Sequence, residues 1–181
     1  MSESFDEEFT VKNVVISRTA DDWFVSISRE FESVKIEGIE LKPKVGADLG
    51  IKTLATLSDG TTFENVKAFN QYKERLKKAQ RTQSKRYNPK SKEQSKNYKK
   101  ASKKVAKIHQ KIANIRNDAT HKLTTHLAKN HSEVKIEDLN VSGMMKNRKL
   151  SGAIQDGGFY EFRRQLTYKC EWYGSKLVVI D

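Results

Sequence analysis

The sequence is poor in cysteine and has no long hydrophobic run. A single cysteine, Cys170, among 181 residues excludes a disulfide framework and any cysteine-based zinc site formed by this chain alone. Its neighbours predict a helix, so a small buried core residue is its expected role. No apolar run approaches the ~20 residues that span a bilayer. The first eight residues are acidic and unlike a signal peptide. We therefore expect a soluble, cytoplasmic protein.

Histidine is also scarce, and its spacing does not favour a metal site. The four histidines lie between His109 and His131, in a basic segment with helical character. His121, His126 and His131 are five residues apart, whereas a zinc-binding helix places its histidines four apart on one face. We interpret these histidines as structural or solvated and expect no zinc site.

Positive charge, in contrast, is abundant and is concentrated in one segment. The formal net charge is +12. Residues 73–122 hold 18 of the 35 Lys and Arg residues and only three of the 23 acidic residues, so the rest of the chain is slightly acidic. A localised excess of this kind suggests a polyanionic partner. Phosphate backbones are the usual one, and acidic membrane surfaces are the other candidate.

The basic segment has the pattern of two helices joined by a turn. A first helix is predicted for residues 68–86, and residues 87–91 form a turn signal that contains Pro89. The second helix carries an apolar stripe with spacings of three and four residues. The stripe consists of Val105, Ile108, Ile112, Ile115, Ala119, Leu123 and Leu127. The sequence therefore predicts a long basic helical hairpin over about residues 68–130.

We expect this hairpin to contact phosphate backbones without reading sequence. The alternative is a solvated helix pair with a lysine-rich face. The candidate nucleic-acid-binding residues are Lys77, Lys78, Arg81, Lys85, Arg86, Lys96, Lys99, Lys100, Lys103 and Lys104.

Strand patterns flank the hairpin on both sides. Residues 11–18 and 23–32 alternate and predict a β-hairpin within a small β appendage over residues 1–42. After Pro43 the order is three strands, the helical hairpin, a strand, a helix and a strand. The predicted strands are 45–52, 53–57, 61–64, 133–136 and 177–180, with a tight turn at 58–60. The predicted helix after the hairpin is 159–173. This order predicts an α/β, ribonuclease H-like mixed sheet.

Two acids occupy positions that matter in such a sheet. Asp48 lies in the first of the three strands, between Gly46 and Gly50, and Glu137 follows the strand after the helical hairpin. These two strands lie side by side in ribonuclease H-like folds, so both acids can point at one site. Mg²⁺ and Mn²⁺ prefer oxygen ligands, and paired ions can drive phosphodiester cleavage. The alternative is a turn aspartate and an exposed glutamate with no ligand.

Several segments resemble the RuvC-like domain of the transposon-encoded TnpB (OrfB-type) proteins. The first RuvC motif is similar to residues 46–51 (GADLGI) with residues 54–60 (LATLSDG), and the second to residues 135–144 (KIEDLNVSGM). The helix after the second motif resembles residues 158–169 (GFYEFRRQLTYK) with residues 172–174 (WYG). The resemblance extends from about residue 11 to residue 181.

This resemblance implies an RNA-guided, RuvC-like DNA endonuclease that depends on Mg²⁺ or Mn²⁺, related to the ancestors of type V CRISPR effectors. Asp48 and Glu137 would be catalytic metal ligands, and the partners would be guide RNA and target DNA, with no membrane partner. Residues 1–42 would be a β-strand remnant of a wedge-type barrel. Residues 43–181 would be a partial RuvC-like nuclease domain, with the basic hairpin as its insertion.

The sequence also departs from the family pattern. The long N-terminal half, the four-cysteine zinc ribbon and the third RuvC motif with its aspartate are not in this sequence, so the chain is either a fragment or a shortened form. No third acid is evident, because Asp156 is expected in a loop and Asp181 lies past the last strand. We therefore expect weak metal binding and weak or no cleavage by these residues alone. The alternative function is a non-catalytic nucleic-acid-binding accessory or truncated remnant, with a full-length relative as a further partner. A guide-independent transposase that joins strands also fits this fold.

Overall fold

A computed structural model of the chain describes residues 10–30, 38–146 and 151–180. Its elements follow the predicted order closely. They are β1 (Val11–Thr19), β2 (Asp22–Arg29), a 3₁₀ turn (Ile39–Leu41), β3 (Lys44–Leu49), β4 (Thr53–Leu57), β5 (Thr62–Glu64), α1 (Ala68–Arg86), α2 (Lys96–Asn130), β6 (Glu133–Glu137), α3 (Val141–Met145), α4 (Ser151–Gly157), α5 (Phe159–Tyr173) and β7 (Lys176–Ile180).

Five strands form a mixed sheet in the order β5-β4-β3-β6-β7. The neighbours β5, β4 and β3 are antiparallel, whereas β3, β6 and β7 are parallel. The turn between β4 and β5 forms because Gly60 adopts a positive φ of 88° and the Asp59 carboxylate accepts a hydrogen bond from the Thr61 amide at 2.8 Å. The predicted α/β class and mixed sheet are confirmed.

One face of this sheet is covered by α2 and α5. Alternate residues of β3 and β6, such as Val45 and Ile136, are buried and pack with Leu127 of α2 and Phe162 of α5. Because side chains alternate along a strand, the residues between them lie on the opposite face. The C-terminal part of the predicted stripe, Ala119, Leu123 and Leu127, thus belongs to this core, and Cys170 is buried there as expected.

A buried polar cluster fixes the contact between α2 and α5. Lys169 is 4% exposed and donates to the hydroxyls of Thr124 and Thr125 and to the carbonyl oxygen of His121, at 2.7, 2.8 and 2.9 Å. Burial lowers the pKa of this ammonium. The Gln165 side chain, also buried, accepts a hydrogen bond from Thr124 at 3.2 Å. These bonds have defined geometry, so they hold the two helices in one register.

Helices α1 and α2 pair along a second apolar cluster and form the predicted hairpin. Its centre consists of Leu76, Ala79, Val105, Ile108 and Ile112. The turn between the helices is closed by two hydrogen bonds between the Gln94 side chain and the backbone of Asn88, at 2.8 and 3.0 Å. The Ser95 hydroxyl accepts from the Tyr98 amide at 3.2 Å and caps α2.

The first two strands form a separate antiparallel ribbon whose residues are all exposed. The turn of the ribbon contacts α2. The Asp21 carboxylate pairs with Lys103 and, at 3.0 Å, with Lys107, and Asp22 accepts from Gln110 at 3.3 Å. The predicted end of this hairpin at residue 32 lies outside the described residues. The boundary at residue 42 between a barrel remnant and a nuclease domain stays a prediction.

Among the described helices, none is both long enough and apolar enough to cross a membrane. The histidines behave as structural residues where contacts define them. His131 is buried, and its Nδ1 lies 3.0 Å from the Leu127 carbonyl oxygen. His126 lies within hydrogen-bonding distance of Asn130.

Candidate functional site

Asp48 and Glu137 occupy adjacent positions at the carboxyl ends of neighbouring strands. The parallel register of β3 and β6 pairs Ala47 with Ile136, and the next residue on each strand is one of the two acids. Because Ala47 and Ile136 are buried, the strand alternation turns both acids to the opposite face of the sheet, where both are exposed. Neighbouring strands are ~4.8 Å apart, so one cation can reach both carboxylates.

Neither acid is neutralised by a cation of the described chain. The ion pairs within 4.0 Å involve other carboxylates, including that of Asp138, the residue next to Glu137, which pairs with Arg163. Both exposed carboxylates are therefore without a counter-ion among the described residues. They supply hard oxygen donors of the kind that Mg²⁺ and Mn²⁺ prefer, so this donor set fits part of such a site.

The glycines around Asp48 have different roles. A Cβ added at Gly50 would lie 2.9 Å from the Thr53 carbonyl oxygen, so Gly50 is required for the close approach of the chain as it bends from β3 into β4. A Cβ at Gly46 would lie 3.8 Å from the Ser58 side chain, which is an ordinary contact. The Gly50 bend therefore fixes where β3 ends and thereby positions Asp48.

A third ligand is not found in the described part of the chain. Residues 10–30, 38–146 and 151–180 contain no group of three His, Cys, Asp or Glu side chains that could hold a metal ion. Asp181, which follows the last strand, lies outside the described residues.

Asp156 is a structural acid and not a loop residue, so that expectation is wrong. It belongs to α4 and is 5% exposed. Its Oδ1 lies 2.8 Å from both Nε and Nη2 of Arg116 on α2, and its carboxylate accepts from the Phe69 amide at 2.9 Å in the first turn of α1. The carboxylate therefore ties three helices together and caps α1.

A continuous basic groove follows the seam between α1 and α2. It consists of two adjoining cavities of about 510 and 470 Å³ that share Arg75, Lys100, Lys104 and Ile108. None of the described residues that line the groove is acidic. The cations that line it are Arg75, Lys78, Arg86, Lys100, Lys103, Lys104, Lys107 and Lys111.

The ten candidate cations are all exposed on the hairpin, but the groove includes only half of them. Lys78, Arg86, Lys100, Lys103 and Lys104 line it, whereas Lys77, Arg81, Lys85, Lys96 and Lys99 lie elsewhere on the hairpin surface. Lys99 pairs with Glu93 at 2.6 Å. Sequence reasoning missed three groove cations, Arg75, Lys107 and Lys111. The continuing spacing of three and four residues from Lys100 to Lys111 is a signal that identifies the last two.

A smaller cavity of about 260 Å³ lies next to Glu137, between the end of β6 and the start of α5. Glu137, Tyr160 and Arg163 are among its lining residues. Sequence reasoning missed this cavity because Tyr160 and Arg163 carry no distinctive spacing relative to the two acids.

The sequence profile of the OrfB_IS605 family, described as "Probable transposase", matches residues 39–148, a range that includes both acids and the basic hairpin. The chain is 40% identical over 185 residues to an Escherichia coli (strain K12) protein named "Putative RNA-guided DNA endonuclease InsQ", covering 94% of this chain and 44% of that protein. It is 43% identical over 169 residues to a "Putative RNA-guided DNA endonuclease" of Streptomyces pristinaespiralis, covering 93% of this chain and 40% of that protein. The chain thus spans less than half the length of these curated relatives.

The fold is similar to one chain in a solved structure described as "Cryo-EM structure of the Cas12f1-sgRNA-target DNA complex". The TM-score is 0.59 at 14% sequence identity, and the match covers 94% of this chain and 36% of that chain. A likeness at this identity concerns the fold alone. Because the family profile matches more than half of the chain, the chain belongs to the OrfB_IS605 family, and its resemblance to TnpB proteins is confirmed.

Proposed function

We propose that this chain forms the metal-binding and phosphate-binding part of an RNA-guided, RuvC-like DNA endonuclease. The observation that carries the proposal is the parallel register that sets Asp48 and Glu137 side by side on the open face of the sheet. The strand order, with β3 and β6 adjacent at the centre, supports a ribonuclease H-like sheet. The names of the relatives support guide RNA and target DNA as partners.

In this proposal Asp48 and Glu137 hold Mg²⁺ or Mn²⁺. A bound ion of this kind would make water a better nucleophile and would stabilise charge on the leaving oxygen of a phosphodiester. The chain itself contributes the position of the two carboxylates, which the register of β3 and β6 and the bend at Gly50 fix. The basic groove contributes backbone contacts. From Lys100 to Lys111 it extends ~16 Å along α2, about five phosphates of one strand.

Metal binding tests the first part of the proposal. We expect Mn²⁺, followed by electron paramagnetic resonance, to bind this chain weakly, because two acids hold less charge than three. Competition by Mg²⁺ should displace it. Asp48→Asn and Glu137→Gln should each abolish binding, while Glu64→Gln, an exposed acid on β5, should leave it unchanged. Mn²⁺ binding that persists in the double variant would contradict the assignment of these ligands.

Cleavage of plasmid DNA in Mg²⁺ should be weak or undetectable for these 181 residues. Robust cleavage that disappears in Asp48→Ala would show instead that another residue of this chain supplies the missing ligand.

The second candidate function is a non-catalytic nucleic-acid-binding module. The observation that favours it is the acid count, because the described residues hold no group of three metal-binding side chains. Both functions require the basic groove. They differ in metal dependence: a binding module keeps its affinity for nucleic acid in Asp48→Asn and shows no specific Mn²⁺ site.

A matched pair of charge-reversal variants tests the groove. Each variant changes four exposed hairpin cations to Glu, so the net charge changes equally. The groove variant changes Lys78, Lys100, Lys104 and Lys111, and the control variant changes Lys77, Arg81, Lys85 and Lys96.

We expect both variants to bind DNA less tightly than wild type. Only in the groove variant should the slope of log K against log [salt] become shallower by about three to four, because each lost phosphate contact removes ~0.9 from the slope. Equal slopes in the two variants would mean that net charge acts without a defined groove.

A further inference from the structure

The cavity beside Glu137 has an apolar floor and a polar rim. Its floor includes Ile136, Phe159 and Phe162, which are 2%, 4% and 1% exposed. At the rim lie Glu137, Arg163 and the ring of Tyr160, which is 76% exposed. An exposed tyrosine, an apolar floor and a guanidinium group around one cavity have the character of a surface that stacks a base and binds a phosphate.

Arg163 is held at this rim by its neighbours. It pairs with Asp138, whose amide donates to the Ile180 carbonyl oxygen at 2.7 Å and so joins the end of β6 to β7. Both side chains of the ion pair are about half exposed, at 50% and 46%. The guanidinium is therefore oriented by one carboxylate, and its other N–H groups have no partner among the described residues.

The size and position of the cavity restrict the ligand. A volume of about 260 Å³ is slightly below the roughly 300–1,000 Å³ of pockets that enclose drug-sized ligands, so it suits a single base and sugar and not a base pair. Since Glu137 lines the same cavity, a phosphate on the adjoining nucleotide would lie near Glu137 at the end of β6.

We propose that this cavity binds one unpaired nucleotide of single-stranded DNA, with its base against Tyr160 and its phosphate on Arg163. The inference rests on the proposed function, because it places the strand to be cut at the site of Asp48 and Glu137. Tyr160 and Arg163 bind the strand next to the reacting phosphate, whereas the groove on the hairpin binds backbone elsewhere on the molecule.

Photocrosslinking separates this cavity from the hairpin, because an adduct reports one residue and not overall affinity. The probe is a short single-stranded oligodeoxynucleotide that contains 5-iodouracil, with adducts located by mass spectrometry on the full chain without added metal. We expect an adduct on Tyr160. The Tyr160→Phe variant should still form an adduct at this position, because the aromatic ring is kept. Tyr160→Ala should remove it.

Arg163→Gln should lower the yield of the Tyr160 adduct about tenfold, the effect of losing one hydrogen bond to a charged group. The matched control is Arg164→Gln, one residue further along α5, whose guanidinium pairs with Glu161 and does not line the cavity. Trp172→Ala removes another exposed aromatic of α5 and should also leave the yield unchanged. The variants should melt close to wild type, because each altered side chain is exposed, and Arg164→Gln should melt slightly lower because it loses the ion pair with Glu161.

Adducts confined to tyrosines of the hairpin, or an equal Tyr160 yield in Arg163→Gln and Arg164→Gln, would overturn the inference. The Mn²⁺-binding experiment tests the metal site separately from the nucleotide site. Loss of Mn²⁺ binding in Asp48→Asn without any Tyr160 adduct supports the metal site and rejects the nucleotide site. A Tyr160 adduct in a chain with no specific Mn²⁺ site supports the nucleotide site and rejects the metal site.

Discussion

Two regions of this chain use carboxylates in opposite ways. At the junction of α1, α2 and α4, Asp156 is 5% exposed, and its oxygens accept hydrogen bonds from Arg116 and from the Phe69 amide. At the end of the central strands, Asp48 and Glu137 are exposed and adjacent, and no cation of the described chain pairs with either. The first carboxylate is neutralised by the protein, and the other two have no counter-ion among the described residues.

The difference indicates which acids have a structural role and which are available to a ligand. A buried carboxylate that loses its partner is costly, so the fold depends on Asp156. Two like charges on adjacent strands destabilise a sheet slightly, so the fold gains nothing from Asp48 and Glu137. Acids that cost stability and meet at one point are candidates for function.

The largest expected effect is the destabilisation caused by Asp156→Ala. The substitution leaves Arg116 without its counter-ion and the Phe69 amide without its acceptor. We expect the free energy of unfolding to fall by about 3 kcal/mol, the lower end of the range for a buried ion pair that loses one partner. The lower end applies because the Arg116 side chain is 19% exposed.

Urea denaturation followed by circular dichroism measures this loss. The control is Asp118→Ala on α2, whose ion pair with Lys122 is 63% and 73% exposed. It should cost no more than about 0.5 kcal/mol. Equal losses in the two variants would remove the distinction between the regions.

The opposite sign is expected at the strand ends. Glu137→Gln removes the repulsion between the adjacent carboxylates and should raise the free energy of unfolding by roughly 0.2–1 kcal/mol. Mg²⁺ in excess should stabilise the wild-type chain, because it binds the folded state, and should have no effect on the variant. Thermal melts with and without Mg²⁺ measure both effects. A loss of stability in Glu137→Gln would mean that this acid, like Asp156, has an unrecognised structural partner.

The position of the two acids could be predicted from the sequence because it depends on local patterns. The strand before each acid is short and apolar, and the order of strands brings β3 and β6 together. The first helix was also predictable, since its apolar spacing begins near Ala68 and the turn with Pro89 follows Arg86. In these places local propensity and the fold agree.

The role of Asp156 could not be predicted in this way. Its partners are 40 and 87 residues distant in the chain, and they meet it only after α2 and α1 have packed. Gly152, Gly157 and Gly158 favour a loop in the sequence, but tertiary contacts hold α4 as a helix. The cavity beside Glu137 was missed for the same reason, because Arg163 is held beside it by an ion pair with Asp138, 25 residues earlier in the chain.

Glu161 is intermediate between the two regions, since it is paired but remains 38% exposed. Its two oxygens accept from Arg164 at 2.7 and 2.8 Å and from Gln165 at 2.9 Å. The hydrogen bonds with Arg164 are the main cause that lowers the pKa of Glu161 to about 2. A lowered carboxyl pKa stabilises the fold above the unfolded pKa near 4.5, and this contribution is lost as the pH falls towards 2.

The smallest predicted effect follows from this exposure. Solvent screening limits the contribution of the pair to about 0.5 kcal/mol, the value for an exposed ion pair on a helix. Glu161→Gln should therefore be less stable than wild type by that amount at pH 7, and the difference should vanish between pH 4.5 and 2. Urea midpoints of both chains across this range measure it. A difference that persists at pH 2 would mean that Glu161 stabilises the fold through packing. Its role would then be structural, like that of Asp156.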